Sequence, residues 1–183
     1  MAMIELKIEN VVASTKISDG FDLGQLEAKL SNVKKSKKRF PGLIYRIEEP
    51  KAAVLIFASG KVVCTGVQSI KDVETVLNTM KNDIRKIGIE VKENTEIKVH
   101  NIVASVDMGT ELNLNKIASG LGLENVEYEP EQFPGVICRT EDPKSVILIF
   151  GSGKLVVTGS PSVETCKKSV ENIKQQLEGL GLL

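Results

Sequence analysis

The chain has 183 residues, 42% of them apolar, with one histidine, three cysteines and a formal net charge of zero. It is long enough to bury a core as one domain or as two small halves, and no stretch nears the roughly 18 unbroken apolar residues of a membrane span. Cys64, Cys138 and Cys166, none in a CxxC pair, with His100 as the single histidine, argue for free thiols in a reducing, intracellular setting and against a zinc cluster.

In chain order, MAMIELKIEN alternates apolar and polar residues through Ile4, Leu6 and Ile8, which predicts a strand and not a secretory signal. DLGQLEAKL (22–30) predicts a short helix, followed by a strand, a loop centred on Phe-Pro-Gly (40–42) and the strand GLIYRI. LIFASGKVVCTG (55–66) predicts a hairpin turning at Ser-Gly. Ser69, with Asp72 three residues on, opens a long helix whose apolar positions are Ile70, Val73, Val76, Leu77, Met80, Ile84 and Ile87.

The same series then returns. IENVVAS (8–14) recurs as VHNIVAS (99–105), DLGQLEAKL gives way to NLNKIASGL (113–121), and FPGLIYR (40–46) recurs as FPGVICR (133–139). The ribbon reappears as LIFGSGKLVVTG (148–159), identical at nine of twelve positions. A second long helix carries Val163, Cys166, Val170, Ile173, Leu177 and Leu180. The prediction is an α+β fold of order β-α-β-β-β-β-α written twice, over 1–91 and 92–183, too long a period for a solenoid and right for two fused halves. Charge divides them: 15 Lys/Arg less 11 Asp/Glu gives +4 in the first half, and 9 less 13 gives −4 in the second.

Residues two apart on a strand share a face. Leu55 and Phe57 therefore lie on one face and Val54 with Ile56 on the other; Val63 and Thr65 oppose Val62 and Cys64. Both faces are apolar, yet one long and one short helix per half can cover only one of them. Either the second face is bare, as binding surfaces are, or two sheets stack as a sandwich. Asn10 beside Val12 and Asn101 beside Val103, with Thr65 and Thr158 at matching places, favour a face that reads something external. An asparagine sealed in a core would need partners for four hydrogen bonds.

The paired asparagines, two Phe-Pro-Gly loops, two LIF-x-SGK-x-V-x-TG ribbons and the direct repeat resemble the TATA-box-binding protein family across essentially the whole chain. With no extension ahead of the first strand, the resemblance is to the archaeal form. It implies a ten-stranded antiparallel saddle with helices on the convex side and the concave side on the minor groove of A·T-rich duplex DNA. It implies wedges at Phe40, Phe57, Phe133 and Phe150, inserted between base steps. It also implies base contacts from Asn10, Asn101, Val12, Val103, Leu55, Leu148, Val63, Val156, Thr65 and Thr158. Phosphate contacts are expected from Arg39, Arg46, Arg139, Lys61, Lys154, Ser59 and Ser152. Phe21 lacks the loop context of the other phenylalanines and is assigned to the core.

Two alike halves on a degenerate groove hold little information about direction, but the loops differ. VKKSKKRF (33–40) is basic, whereas EYEPEQF (127–133) is acidic. The resemblance implies that Glu129, Glu131 and Gln132 dock transcription factor B and, through it, RNA polymerase, in the cytoplasm of a cell without a nucleus. The regulators that bind the strongly basic first-half helix of nuclear relatives are not expected, because the matching helix here, SIKDVETVLNTMKNDIRKI, is mixed in charge. A homodimer of the free protein would hide the bare face; no cofactor or metal is expected. The rival classes are an enzyme, for which no Ser-His-Asp set or phosphate-cradling loop appears, and a non-catalytic scaffold that binds protein or lipid on the bare sheet.

Overall fold

A computed structural model describes residues 5–35, 41–122 and 124–183. The elements run β1 (Lys7–Lys16), α1 (Leu23–Lys29), β2 (Val33–Lys35), β3 (Gly42–Glu48), β4 (Lys51–Phe57), β5 (Lys61–Val67) and α2 (Ile70–Lys86). They continue with β6 (Lys98–Asp107), α3 (Leu114–Leu121), β7 (Val126–Glu127), β8 (Gly135–Glu141), β9 (Lys144–Phe150), β10 (Lys154–Ser160) and α4 (Val163–Gly179). This is the predicted order, twice. The ten strands belong to one sheet, in the order β2-β3-β4-β5-β1-β6-β10-β9-β8-β7, which removes the stacked-sandwich alternative. By contacts the chain forms two compact units: Asn10–His100, and Asn101–Leu183 with the start of the chain up to Glu9.

In the unit Asn10–His100 the strands β2-β3-β4-β5-β1 pair antiparallel. Asp22 caps α1 by accepting from the Gln25 amide, and Ser69 caps α2 by accepting from the Asp72 amide at 3.0 Å. The α2 stripe Val73, Val76, Leu77, Met80 and Ile84 packs on the β5 side of the sheet and is buried, as are Val54, Ile56, Val62 and Cys64 on one sheet face. Fully burying one such aliphatic side chain contributes about 1.5–3 kcal/mol. Phe21 is in this core as expected. Ile70 is not: as the first helical residue after the cap it lies beyond the sheet and stays 46% exposed.

The second unit repeats the arrangement. Asn113 and Ser162 cap α3 and α4, and Cys166, Val170, Ile173 and Leu177 cover Ile147, Ile149, Leu155 and Val157. Leu180, expected in that stripe, is the C-cap of α4 and is 44% exposed.

The hairpin tips are fastened to the first loop of their own unit. The Ile17 amide donates to the Gly60 carbonyl at 3.0 Å and the Phe21 amide to that of Ala58 at 2.8 Å; Met108 to Gly153 and Leu112 to Gly151 repeat the pattern, both at 2.9 Å. Gly60 has φ +90° and a Cβ there would stand 1.8 Å from the Ser18 carbonyl oxygen, so only glycine fits.

Candidate nucleic-acid interface

Each unit leaves one sheet face without a helix. Leu55, Phe57, Leu148 and Phe150, which a sealed core would bury, are all partly exposed, whereas their neighbours Val54, Ile56, Ile147 and Ile149 are fully buried. Register fixes what lies beside what, because directly paired residues of an antiparallel ladder share a face. In the first unit the rows are Gly42–Phe57, Ile44–Leu55–Val63 and Arg46–Ala53–Thr65. In the second they are Gly135–Phe150, Ile137–Leu148–Val156 and Arg139–Val146–Thr158. Val12 and Val103 are likewise half-buried. Ile44, Ile137, Ala53 and Val146 belong to this floor although the sequence reading did not single them out; the signal available was their alternation with Leu43, Val136, Val54 and Ile147.

The asparagines sit at bulges. On β1, Val11 and Ala13 are two apart, but their β5 partners Val67 and Cys64 are three apart, so β5 carries an extra residue. On β6 and β10, Ile102 and Ala104 face Ser160 and Val157 in the same way. The extra residue brings the positive-φ Gly66 and Gly159 beside the asparagines. The Gly66 amide donates to Asn10 Oδ1 at 2.7 Å, and Asn10 Nδ2 donates to Thr65 Oγ1 at 3.3 Å. Gly159, Asn101 and Thr158 do the same at 2.7 and 3.2 Å. A backbone N–H can only donate, so the amide orientation is set by its partner. With Oδ1 accepting from the backbone amide, each pair keeps hydrogen to offer: the second N–H of the amide and the threonine hydroxyl.

Among the phenylalanines, the rings of Phe133 and Phe150 are 5.7 Å apart and tilted by 58°. A Cβ at Gly135 would be 3.0 Å from Phe133 and 3.1 Å from Phe150, so the pair occupies the space that glycine leaves. Phe57 is partly exposed on the corresponding edge; Phe40 and Arg39 lie outside the described residues. Lys61 and Lys154 are exposed at the hairpin tips, where Ser59 and Ser152 accept from their amides at 3.4 Å. Arg46 is exposed with no ion-pair partner among the described residues, whereas Arg139 Nη1 meets Glu127 Oε1 at 2.7 Å. Glu129, Glu131 and Gln132 are exposed on a turn closed by the Gln132 and Phe133 amides on the Glu129 carbonyl.

His100 Nε2 lies 2.5 Å from Ser14 Oγ, and no carboxylate completes a triad among the described residues. Its repeat counterpart Glu9 accepts from Ser105 at 2.7 Å, and that hydrogen bond lowers the Glu9 carboxyl below its ordinary range. Among the described residues no helix is long and apolar enough to cross a membrane, and no three His, Cys, Asp or Glu side chains gather as metal ligands do.

The family model for "Transcription factor TFIID (or TATA-binding protein, TBP)" matches residues 5–87 and again 96–180. The chain is 56% identical over 183 residues to TATA-box-binding protein 1 of Methanosarcina acetivorans, covering 100% of both, and 52% identical over 179 residues to the TATA-box-binding protein of Archaeoglobus fulgidus, covering 98% of each. A solved structure, Methanococcus jannaschii TBP, superposes with a TM-score of 0.88 at 47% identity, over 96% of this chain and 99% of that one.

Proposed function

The chain belongs to the TATA-box-binding protein family, and we propose that it is a general transcription initiation factor that reads A·T-rich promoter DNA through the minor groove with its helix-free face. One observation supports the reading: two asparagine–threonine pairs, each amide oriented by the Gly66 or Gly159 N–H so that a side-chain N–H is left to donate, stand in an apolar floor. The minor groove of an A·T pair presents only acceptors, adenine N3 and thymine O2, and G·C adds the guanine 2-amino donor. Donors meet acceptors on A·T. Against G·C, the floor of Leu55, Leu148, Val63 and Val156 with Val12 and Val103 has no acceptor for the amino group, and an unpaired buried donor costs about 1–3 kcal/mol.

In this reading the repeats 1–91 and 92–183 each read one half of the site. Phe57 and Phe150, with Phe40 and Phe133, enter the outer base steps; unstacking costs a few kcal/mol per step in minor-groove wedge binders, this family being among the type cases. Burying one phenylalanine returns about 1.5–3 kcal/mol, so four offset most of the distortion. Arg39, Arg46, Arg139, Lys61 and Lys154, with Ser59 and Ser152, take phosphates. The exposed acidic turn at Glu129, Glu131 and Gln132 docks transcription factor B, which brings RNA polymerase to the promoter in the cytoplasm. Without DNA, the apolar face is covered in a homodimer.

Inosine separates this reading from its rivals. An I·C pair keeps the major-groove edge of G·C but lacks the 2-amino group, so the chain should bind an I·C-substituted site like A·T and should discriminate against G·C. Equal binding to all three, or I·C behaving as G·C, refutes minor-groove readout and favours a surface for protein or lipid.

A further inference from the structure

The outer edges of the helix-free face carry different electrostatics at repeat-equivalent places. Lys34 pairs with Ile44 on β2–β3, and Glu127 pairs with Ile137 on β7–β8, so each sits on the face beside the arginine two residues along, Arg46 or Arg139. The backbone is the same in both: the Arg46 amide donates to the Asn32 carbonyl at 3.1 Å and the Arg139 amide to that of Asn125 at 2.9 Å. The side chains are not. Lys34 and Arg46 are two exposed cations without an ion pair among the described residues. Glu127 and Arg139 neutralise each other in a 2.7 Å contact with both side chains more than half exposed.

We propose that Glu127 is a specificity-determining residue that makes the two edges unequal in their hold on the DNA backbone. It occupies the Arg139 guanidinium, so a phosphate on that side must displace a carboxylate, whereas Lys34 and Arg46 receive phosphate directly. The inference rests on the minor-groove reading above and deepens it: the floor is apolar in both units, with Ala53 in one where Val146 stands in the other, and the charge difference lies in what surrounds it. The exposed ion pair is weak enough to be opened, since such pairs contribute at most about 1 kcal/mol, yet opening it is a cost that Arg46 does not bear. Arg46 therefore adds a full counterion-releasing contact and Arg139 only part of one.

The test is a salt titration of the full chain with a fluorescent A·T-rich duplex, read as the slope of log K against log salt. Each phosphate contact contributes about −0.9 to that slope. Arg46→Ala should flatten it by about 0.9, Arg139→Ala by clearly less. Glu127→Gln, which keeps the size and removes the charge, should steepen the slope and tighten binding at low salt about two- to fivefold. In the Glu127→Gln background, Arg139→Ala should then flatten the slope by the full ~0.9. Equal flattening by Arg46→Ala and Arg139→Ala in the unaltered chain, or a Glu127→Gln slope and affinity identical to the parent, overturns the inference. A parent chain with no preference for A·T over G·C strikes the minor-groove reading itself, so the two failures are told apart by the first control.

Discussion

Asn101→Asp alters the reading group while sparing the scaffold. The carboxylate still accepts from the Gly159 amide, which lies 2.7 Å from Oδ1, so the bulge keeps its internal partner and the fold should survive. What disappears is the outward N–H. A net hydrogen bond contributes about 0.5–1.5 kcal/mol, and the acceptor it served is left unsatisfied in a dry contact at about 1–3 kcal/mol. Taking the loss as about 2–3 kcal/mol, the dissociation constant for an A·T site rises about 30- to 150-fold. The second carboxylate oxygen is now an acceptor, so the gap between A·T and a duplex with one central G·C pair should narrow as well. Fluorescence anisotropy on both duplexes reads the change, with a thermal melt as the fold control. Asn101→Ala gives the contrast, because it orphans the Gly159 amide and should lower the melting temperature. Unaltered A·T affinity in a folded Asn101→Asp protein refutes the donor assignment.

Phe57→Ala with Phe150→Ala should weaken binding and reduce the bend of an end-labelled duplex in a fluorescence-transfer assay; an unchanged bend removes these rings as wedges. Ile56→Ala, at a fully buried position on the covered sheet face, should cost about 2–5 kcal/mol in denaturant unfolding, and a cost below 1 kcal/mol speaks against the packing described. Tyr45 is held neutral by burial and by its hydrogen bond to Asp83, which push its phenol up to about 12 from 10.0. The folded state therefore resists ionisation that the unfolded chain permits: stability is intact below pH 10.0 and falls as pH rises toward about 12. Absorbance titration of the chain against Tyr45→Phe checks the midpoint, and a normal phenol in the difference spectrum contradicts it.

Much of this molecule is legible in order of residues alone, because its signals are local. Alternation in the two ribbons fixes which side chains share a face, and Ser69 announces its helix through a hydrogen bond spanning three residues. Periodicity fails where an element ends: Ile70 and Leu180 keep the spacing of a buried stripe but stand past the sheet that would cover them. It also fails for contacts made across distance. Nothing near Asn10 says that Gly66, 56 positions on, supplies the amide that turns its side chain outward. Ile44 and Ile137 follow from alternation, but their chain neighbours Leu43, Tyr45, Val136 and Cys138 are as apolar as they are, so nothing local marks which of them faces the floor. The tie between Arg139 and Glu127 depends on β7–β8 register, and composition shows only that the second loop is acidic.

The fastened hairpin tips bear on heat and speed. Gly60 and Gly153 hold the ribbon ends against Ser18 and Thr110, so the segments carrying Phe57, Lys61, Phe150 and Lys154 have surrendered their freedom before any duplex arrives. Ordering a loop at the moment of contact subtracts from affinity, and here that subtraction falls on folding instead. In the proposed complex, recognition then starts from rigid prongs, and the nucleic acid is the partner that must yield.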